Sequence, residues 1–398
     1  MRPIRCFPLL VVVVLFGSAL SVSESRAGFS EAPVATGLDF PVAMAFAPDG
    51  RLFFTERFSG KVRLITNPTS ANPRLLPDAV YRFGPVSSFF ERGLLGLALD
   101  PDFQNNGYLY VYYSHRGRDS KTDPYRHRLM RITVKGDRGE SPVVLLDRLP
   151  IGSASEFGAG NHNGGILAFG PDGKLYLSIG DLATPKNSQD LDSFAGKILR
   201  LNPDGTAPTD NPFYDSKRPT APRSYVYAFG LRNSFGLTFE PRLSLPDRQA
   251  GGGQAGPPGK ARLFATENGP ATNDELDIIE PGKNYGWDDD RISGVRNKPG
   301  YIDPILVYHR TIAPTGIVFY TGTRYPEVYQ GKLFFTDWNE GRIRVVTLTG
   351  RDSVDGVSVQ DDLFRHRGGV VDLKMGPDGL LYFTTPKGIY RLIYDDAP

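Results

Sequence analysis

Five histidines occur in the 398 residues, and one of them stands in GAGNHNGGILAFGPDGKLYLSIGD, residues 158–181. An imidazole titrates near pH ~6.5, so His162 has the chemistry to take a proton from a hydroxyl near neutral pH. The glycines around it let backbone approach closely and leave room for a ligand. A second candidate lies in YAFGLRNSFGLTFEP, where Arg232 precedes Asn233. Taken alone, a histidine is more often a hydrogen-bonded structural residue, so its surroundings in the fold decide its role.

Those surroundings follow from a repeat. One module recurs: alternating apolar residues, a Pro-Asp turn, then an apolar-aromatic strand. It reads AMAFAPDGRLFFTE (43–56), LGLALDPDFQNNGYLYVYYS (95–114) and GILAFGPDGKLYLSIGD (165–181). It returns as GLTFEP and ARLFATENG within 236–269, GIVFYTGTRYPEVYQGKLFFTD (316–337) and VDLKMGPDGLLYFTT (371–385). Proline fixes one φ and glycine supplies a positive one, so P-D-G suits a tight turn between strands. Most copies are followed by a further alternating segment such as GKVRLIT or GKILRLN. Six copies predict an all-β fold, a six-bladed β-propeller of four-stranded antiparallel blades around a central channel. The segment EAPVATGL (31–38) is expected to supply the strand that closes the last blade on the first.

In a propeller the segment entering the innermost strand and the loop leaving the second strand open on one face. The repeat therefore maps a channel mouth. Entering segments place there Phe40 and Pro41, Glu91 and Arg92, His162 and Asn163, Arg232 and Asn233, Pro314 and Thr315, and Gly368 and Gly369. Leaving loops add Glu56 and Arg57, His115, Asp181, Glu267 and Asn268, Asn339 and Lys387. His162 then stands beside an arginine and a carboxylate in a concave site, which favours a base over a structural residue. His115 is a weaker second candidate, His309 is expected near the rim, and His127 and His366 are expected in solvent.

Composition narrows the partners. Net charge is +2 from 46 basic and 44 acidic residues, with no basic run interleaved with aromatics, which argues against nucleic acid. Residues 1–27 hold Arg2 and Arg5, then the apolar run Leu9 to Leu20, and are expected to be a cleaved secretory peptide rather than a membrane anchor. The propeller is expected to fill residues 28–398, in a periplasmic or secreted protein. Cys6, the only cysteine, lies in the leader, so a mature chain has no thiol for catalysis or zinc binding. RQAGGGQAGPPGK (248–260) is expected to be a flexible surface insertion between two strands.

The stretches ERGLLGLALDPDFQNNGYLYV, NHNGGILAFGPDGKLYLSIGD, YAFGLRNSFGLTFEP and TENGPATNDELDIIEPGKNYGWD carry a resemblance. In them the chain resembles the soluble quinoprotein sugar dehydrogenases, the glucose/sorbosone dehydrogenase family. The resemblance implies a six-bladed propeller that binds calcium and pyrroloquinoline quinone (PQQ) and oxidises the anomeric carbon of aldoses to lactones, with an external electron acceptor. It assigns His162 as the base, Arg232 as the arginine on the quinone oxygens, and Asn233 as the neighbouring cofactor contact, with Thr315 grouped beside them. Glu91 and Asn161 stand at sugar-contacting positions. Gly269 and Pro270 match carbonyls on a cofactor-linked calcium, while Glu275 and Tyr285 resemble ligands of a second calcium. Asn339, Gly369 and Val371 depart from the family, which has a lysine and two arginines there; Arg365 and Arg367 are candidate replacements. Two other readings stay open. One is a calcium-dependent propeller that binds a sugar or glycan without redox chemistry. The other is a lactonase-type hydrolase with a metal held by Glu91, Asn163, Asn233 and Glu267.

Overall fold

A computed structural model of the protein describes residues 28–118, 122–152, 160–241, 261–288, 299–348 and 357–395. The expected leader with Cys6 and the insertion at 248–260 lie outside the described residues. The strands form six antiparallel sheets. Blade 1 runs outward from Pro41–Phe46 through Leu52–Glu56 and Lys61–Thr66 to Arg74–Leu75, with Tyr81–Arg82 also on its third strand. Blade 2 comprises Leu94–Leu99, Tyr108–His115, Arg126–Lys135 and Arg138–Leu149. Blade 3 comprises Leu167–Phe169, Leu175–Ile179, Lys197–Leu201 and Val226–Phe229. Blade 4 comprises Ser234–Phe239, Leu263–Glu267, Asp274–Ile279 and Leu306–Tyr308, and blade 5 comprises Pro314–Phe319, Leu333–Asp337, Arg342–Leu348 and Val357–Arg365. Blade 6 is built from both ends of the described chain: Leu373–Met375, Leu381–Thr385 and Gly388–Asp395, with Gly28–Thr36 outermost. That closing strand pairs Gly28 with Asp395 and Thr36 with Gly388, as EAPVATGL predicts. No helix among the described residues is long and apolar enough to cross a membrane.

Burial explains the sequence pattern strand by strand. Every residue of Leu52–Glu56, Leu175–Ile179, Leu263–Glu267, Leu333–Asp337 and Leu381–Thr385 is buried. These second strands have a neighbouring blade on each face, so they read as near-continuous apolar runs. The outermost Val357–Arg365 alternates between half-buried and exposed over much of its length, with water on one face. The P-D-G turns recur in detail. Gly50, Gly173 and Gly379 take φ of 87°, 72° and 79°. The turn aspartates then hold the second strands: the hydroxyls of Tyr176 and Tyr382 donate to Asp172 and Asp378 at 3.0 and 2.9 Å.

Around the channel the inner strands meet backbone to backbone. A Cβ at Gly96 would land on the carbonyl oxygen of Gly165 in the next blade, and one at Gly236 on that of Thr315. Neither neighbour is a side chain that can turn away. Gly96→Ala is expected to cost about 1–3 kcal/mol by overpacking and to lower the melting temperature by several degrees, measured by thermal denaturation. An unchanged melting temperature would show that the blades slide apart freely.

Two histidines lie elsewhere than expected. His127 is fully buried, stacked on Tyr112 at 4.9 Å with its Nδ1 3.2 Å from the Ser114 hydroxyl. Burial, reinforced by the Arg92 charge, pushes its pKa down to about 3, so it is a neutral core residue. His366 is half-buried, 2.7 Å from the Glu31 carboxylate and against Phe383 and Tyr390. Outward-facing strand positions look solvated in sequence, but here the neighbouring blade or closing strand covers them.

Candidate active site at the channel mouth

His162 sits in the segment that enters blade 3, with left-handed backbone at φ 57°. Histidine tolerates that region better than most side chains. The conformation turns its N–H to Glu91 Oε2 at 2.7 Å and its carbonyl toward Gly180, where a Cβ could not fit. Its ring is fixed by Asp181 from the loop leaving the same blade: Nδ1 lies 2.6 Å from Asp181 Oδ1. Asp181 is completely buried, and its other oxygen accepts the indole N–H of Trp287 at 2.7 Å. The Ala183 N–H also donates to Oδ1 at 2.8 Å. These partners assign the proton to Nδ1 and the lone pair to Nε2, toward which the Asn161 amide points at 3.3 Å.

Arg232 joins the same cluster from blade 4's entering segment. Its guanidinium lies 5.5 Å from the Trp287 ring and donates from Nη1 to the Asn268 carbonyl at 2.9 Å. Glu267, buried below, accepts the N–H groups of Arg232 and Asn233 at 2.8 and 2.5 Å and the Ser234 hydroxyl. Burial still outweighs these donors and pushes its pKa up to about 7. Burial likewise raises Glu91, opposed by the His162 N–H and by the charges of His162, Arg57 and Arg232. Glu91, Asn161, His162, Asp181 and Arg232 thus converge, with Trp287 as a support that the sequence did not single out. Its only signal was its place in the NYGWD stretch.

Other expected residues turn away. Arg92 is fully buried and donates to the Ile151 carbonyl, so it does not line the cleft. Thr315 is buried, with its hydroxyl donating to the Val370 carbonyl at 2.7 Å and paired with Thr336. His115 is buried 2.7 Å from Asp123. Asn233 supports the mouth from beneath, since its side-chain oxygen accepts the Gly164 N–H at 3.1 Å. Of the hydrolase ligand set, Glu91, Asn233 and Glu267 hold backbone N–H groups of the loops, while the buried Asn163 Oδ1 has no hydrogen-bond partner. Among the described residues no three His, Cys, Asp or Glu side chains converge as a metal cage.

Cation donors on blade 4 fit calcium through a different arrangement. Asp277 is 1% exposed and both its carboxylate oxygens lack a hydrogen-bond partner; burial and the nearby Glu275 and Glu267 raise its pKa far above the ordinary value. Glu275 precedes it on the same face of the strand Asp274–Ile279. A hard cation would satisfy the Asp277 carboxylate, with Glu275 beside it and carbonyls completing the set. The Tyr285 phenol is occupied between the Ile278 carbonyl and the Glu280 N–H, which leaves only its backbone carbonyl as a ligand. At Gly269 the chain turns so tightly that the carbonyls of Thr272 and Asn273 fill the place of a Cβ.

Of the cationic positions that the resemblance implies for PQQ, Arg232 is kept beside the base, and its guanidinium fits the quinone oxygens. On blades 5 and 6 the Asn339 amide donates to the Thr311 carbonyl at 3.0 Å, Val371 is buried, and the Trp338 ring fills the space over Gly369. Arg365 lies on the outermost strand of blade 5 and donates to the Glu340 carbonyl, away from the inner strands. Arg367 is exposed.

A six-bladed propeller with a histidine–aspartate pair and an arginine at one channel mouth defines the class. The chain belongs to the glucose/sorbosone dehydrogenase family, whose sequence pattern matches residues 38–393. It is 27% identical to the aldose sugar dehydrogenase YliI of Escherichia coli over 89% of this chain and 90% of that one. Its structure is similar to a putative oxidoreductase (glucose dehydrogenase) of Thermus thermophilus, with a TM-score of 0.74, 31% identity and coverage of 92% and 100%. It is also similar to the PQQ-bound aldose sugar dehydrogenase of Streptomyces coelicolor, with a TM-score of 0.70, 27% identity and coverage of 93% and 99%.

Proposed function

We propose that the protein is an exported quinoprotein that oxidises the anomeric carbon of an aldose to the lactone, passing electrons on to an external acceptor. The observation that carries this reading is the His162–Asp181 pair at the mouth, beside Arg232. Oxidation of a C1 hydroxyl removes one proton and one hydride. His162 Nε2 takes the proton, while Asp181 holds the ring and stabilises the imidazolium that forms. Arg232 would hold the quinone oxygens, with the Gly269 and Pro270 carbonyls on a linked calcium. Bound PQQ supplies the hydride acceptor. Asn161 and Glu91 flank the base, where they meet sugar hydroxyls.

The test is titration of the purified protein with calcium and PQQ, followed by a dye-linked assay over a panel of aldoses. Calcium is expected to raise the melting temperature by mass action, and chelation to reverse the rise. Asp277→Asn is expected to remove most of that increment. PQQ is expected to bind less tightly than to relatives with all the cationic anchors, because each charged hydrogen bond contributes about 1.5–3 kcal/mol. No PQQ binding at any concentration would defeat the quinoprotein reading in favour of a sugar-binding propeller.

A further inference from the structure

Asp181 fixes the ring of His162, and its own place depends on a loop that needs support. The next two residues, Leu182 and Ala183, take left-handed φ of 58° and 57°, a region that leucine and alanine rarely adopt. Two clamps hold that turn. Inside blade 3, the fully buried Lys197 ammonium donates to the carbonyls of Asn187, Ser188 and Ala195 at 2.7, 3.0 and 2.7 Å. The Asn187 amide in turn donates to the Asp181 carbonyl at 3.0 Å.

The second clamp joins this loop to the segment that follows the third strand of blade 4. Gln189 Nε2 donates to Asn284 Oδ1 at 3.1 Å, and Asn284 Nδ2 donates back to Gln189 Oε1 at 2.8 Å. Two side-chain amides 95 positions apart thus pair reciprocally. The same Gln189 Nε2 donates to the Trp287 carbonyl at 2.8 Å, while the Trp287 N–H donates to the Gly230 carbonyl at 2.9 Å. A Cβ at Gly230 would land on Asn284 Oδ1 and lie 3.0 Å from Gln189 Nε2, so the blade 3 backbone is shaped around the pair. Every polar group of Trp287 is thereby used, because its indole N–H donates to Asp181 Oδ2 at 2.7 Å.

We propose that Gln189 and Asn284 are positioning residues for the base: their amide pair seats Trp287, whose indole holds Asp181 so that the His162 proton stays on Nδ1. The role rests on the function given above. Neither amide touches the substrate; both act through Trp287 and Asp181. Apolar side chains of the same size would serve ordinary packing between blades, but the Trp287 carbonyl needs the amide donor. Without that seat the indole can leave Asp181 Oδ2, and the carboxylate can then turn about its own bond. A misplacement of about 1 Å in a catalytic constellation can cost about 10²-fold in rate.

The test reads the base directly, in the full-length calcium-loaded protein carrying isotope-labelled histidine, without PQQ or sugar. Nitrogen chemical shifts distinguish a protonated ring nitrogen from a bare one, and the signal lost in His162→Asn assigns His162. At pH ~8, where an ordinary imidazole is neutral, wild type is expected to carry the proton on Nδ1. Gln189→Met and Asn284→Ala are each expected to give a mixture of both tautomers. After reconstitution each is expected to lower kcat about tenfold while KM for the sugar stays within about twofold. The double variant is expected to lose no more than the worse single one, because the amides act as a unit. Asn284→Ala removes the smaller group and keeps the test open should Gln189→Met fail to fold. A wild-type proton on Nε2, an unchanged tautomer and kcat in the variants, or losses that multiply in the double variant would overturn the role. The two readings fail separately. A protein that oxidises no aldose, yet shifts its His162 tautomer in the variants, keeps the positioning pair and loses the function. An active quinoprotein in which neither variant moves the tautomer or kcat does the reverse.

Discussion

Replacing His162 with Gln in the calcium- and PQQ-reconstituted protein is expected to lower kcat by about 10²–10⁴-fold, the contribution typical of a positioned general base. Glutamine keeps a polar side chain at the mouth but cannot accept the proton. The backbone needs a control, because φ at this position is 57° and glutamine favours that region less than histidine. His162→Asn, which tolerates left-handed backbone, should show the same loss. Affinity for PQQ should change little, since Arg232 is held independently by Asn268, Glu267 and the Trp287 ring. Full kcat in both variants, measured at saturating sugar and cofactor, would remove His162 from the role of base.

Asp181→Asn should be nearly as damaging, about 10²–10⁴-fold in kcat, although it touches no substrate. Three donors converge on the carboxylate: His162 Nδ1–H and the Ala183 N–H on one oxygen, and the Trp287 N–H on the other. Asparagine has one oxygen for them. With its NH₂ toward Trp287, two N–H groups face each other in a buried site. With its NH₂ toward His162, the ring must accept at Nδ1 and carry its proton on Nε2, so the base is lost. Either orientation should also alter the pH–rate profile, which a merely structural defect would not do. An Asn variant with unchanged kcat and an unchanged pH profile would show that the tautomer is fixed by something else.

Much of this was legible in the sequence because the propeller repeats its own geometry. The P-D-G turns marked the blades, and counting from each turn placed His162, Asp181, Arg232 and Glu91 on one face. Position along a strand did not reveal depth or partner. Arg92 follows Glu91 directly, yet the turn between Phe90 and Gly93, both at positive φ, sends it into the interior while Glu91 stays at the mouth. Thr315 lies in an entering segment, but close contact with the segment entering blade 6 occupies its hydroxyl. His127 was expected in solvent because its strand alternates, but the interior covers it completely. Trp338 was invisible as a replacement for the lost cations, since its ring reaches Gly369 across a blade boundary, 31 positions along the chain. Repeats encode where segments emerge; contacts between blades are written in pairs of residues that the repeat does not align.

The closing strand sets the order in which the molecule can assemble. Five blades draw on strands consecutive in the chain and can form as each is completed. The sixth needs Gly28–Thr36 to find Gly388–Asp395, and Ser30 meets Asp395 from 365 positions away. Bringing such distant segments together carries a loop-closure cost that earlier pairings avoid, and contacts of this range form late. Until then the ring is an open arc, and the outer edge of Gly388–Asp395 is unpaired and able to bind other chains. The mouth is incomplete in that arc, because Trp338 of blade 5 and Phe40 of blade 1 meet only once the ring has closed. Ring closure is thus both the last act of folding and the moment the binding surface comes into existence.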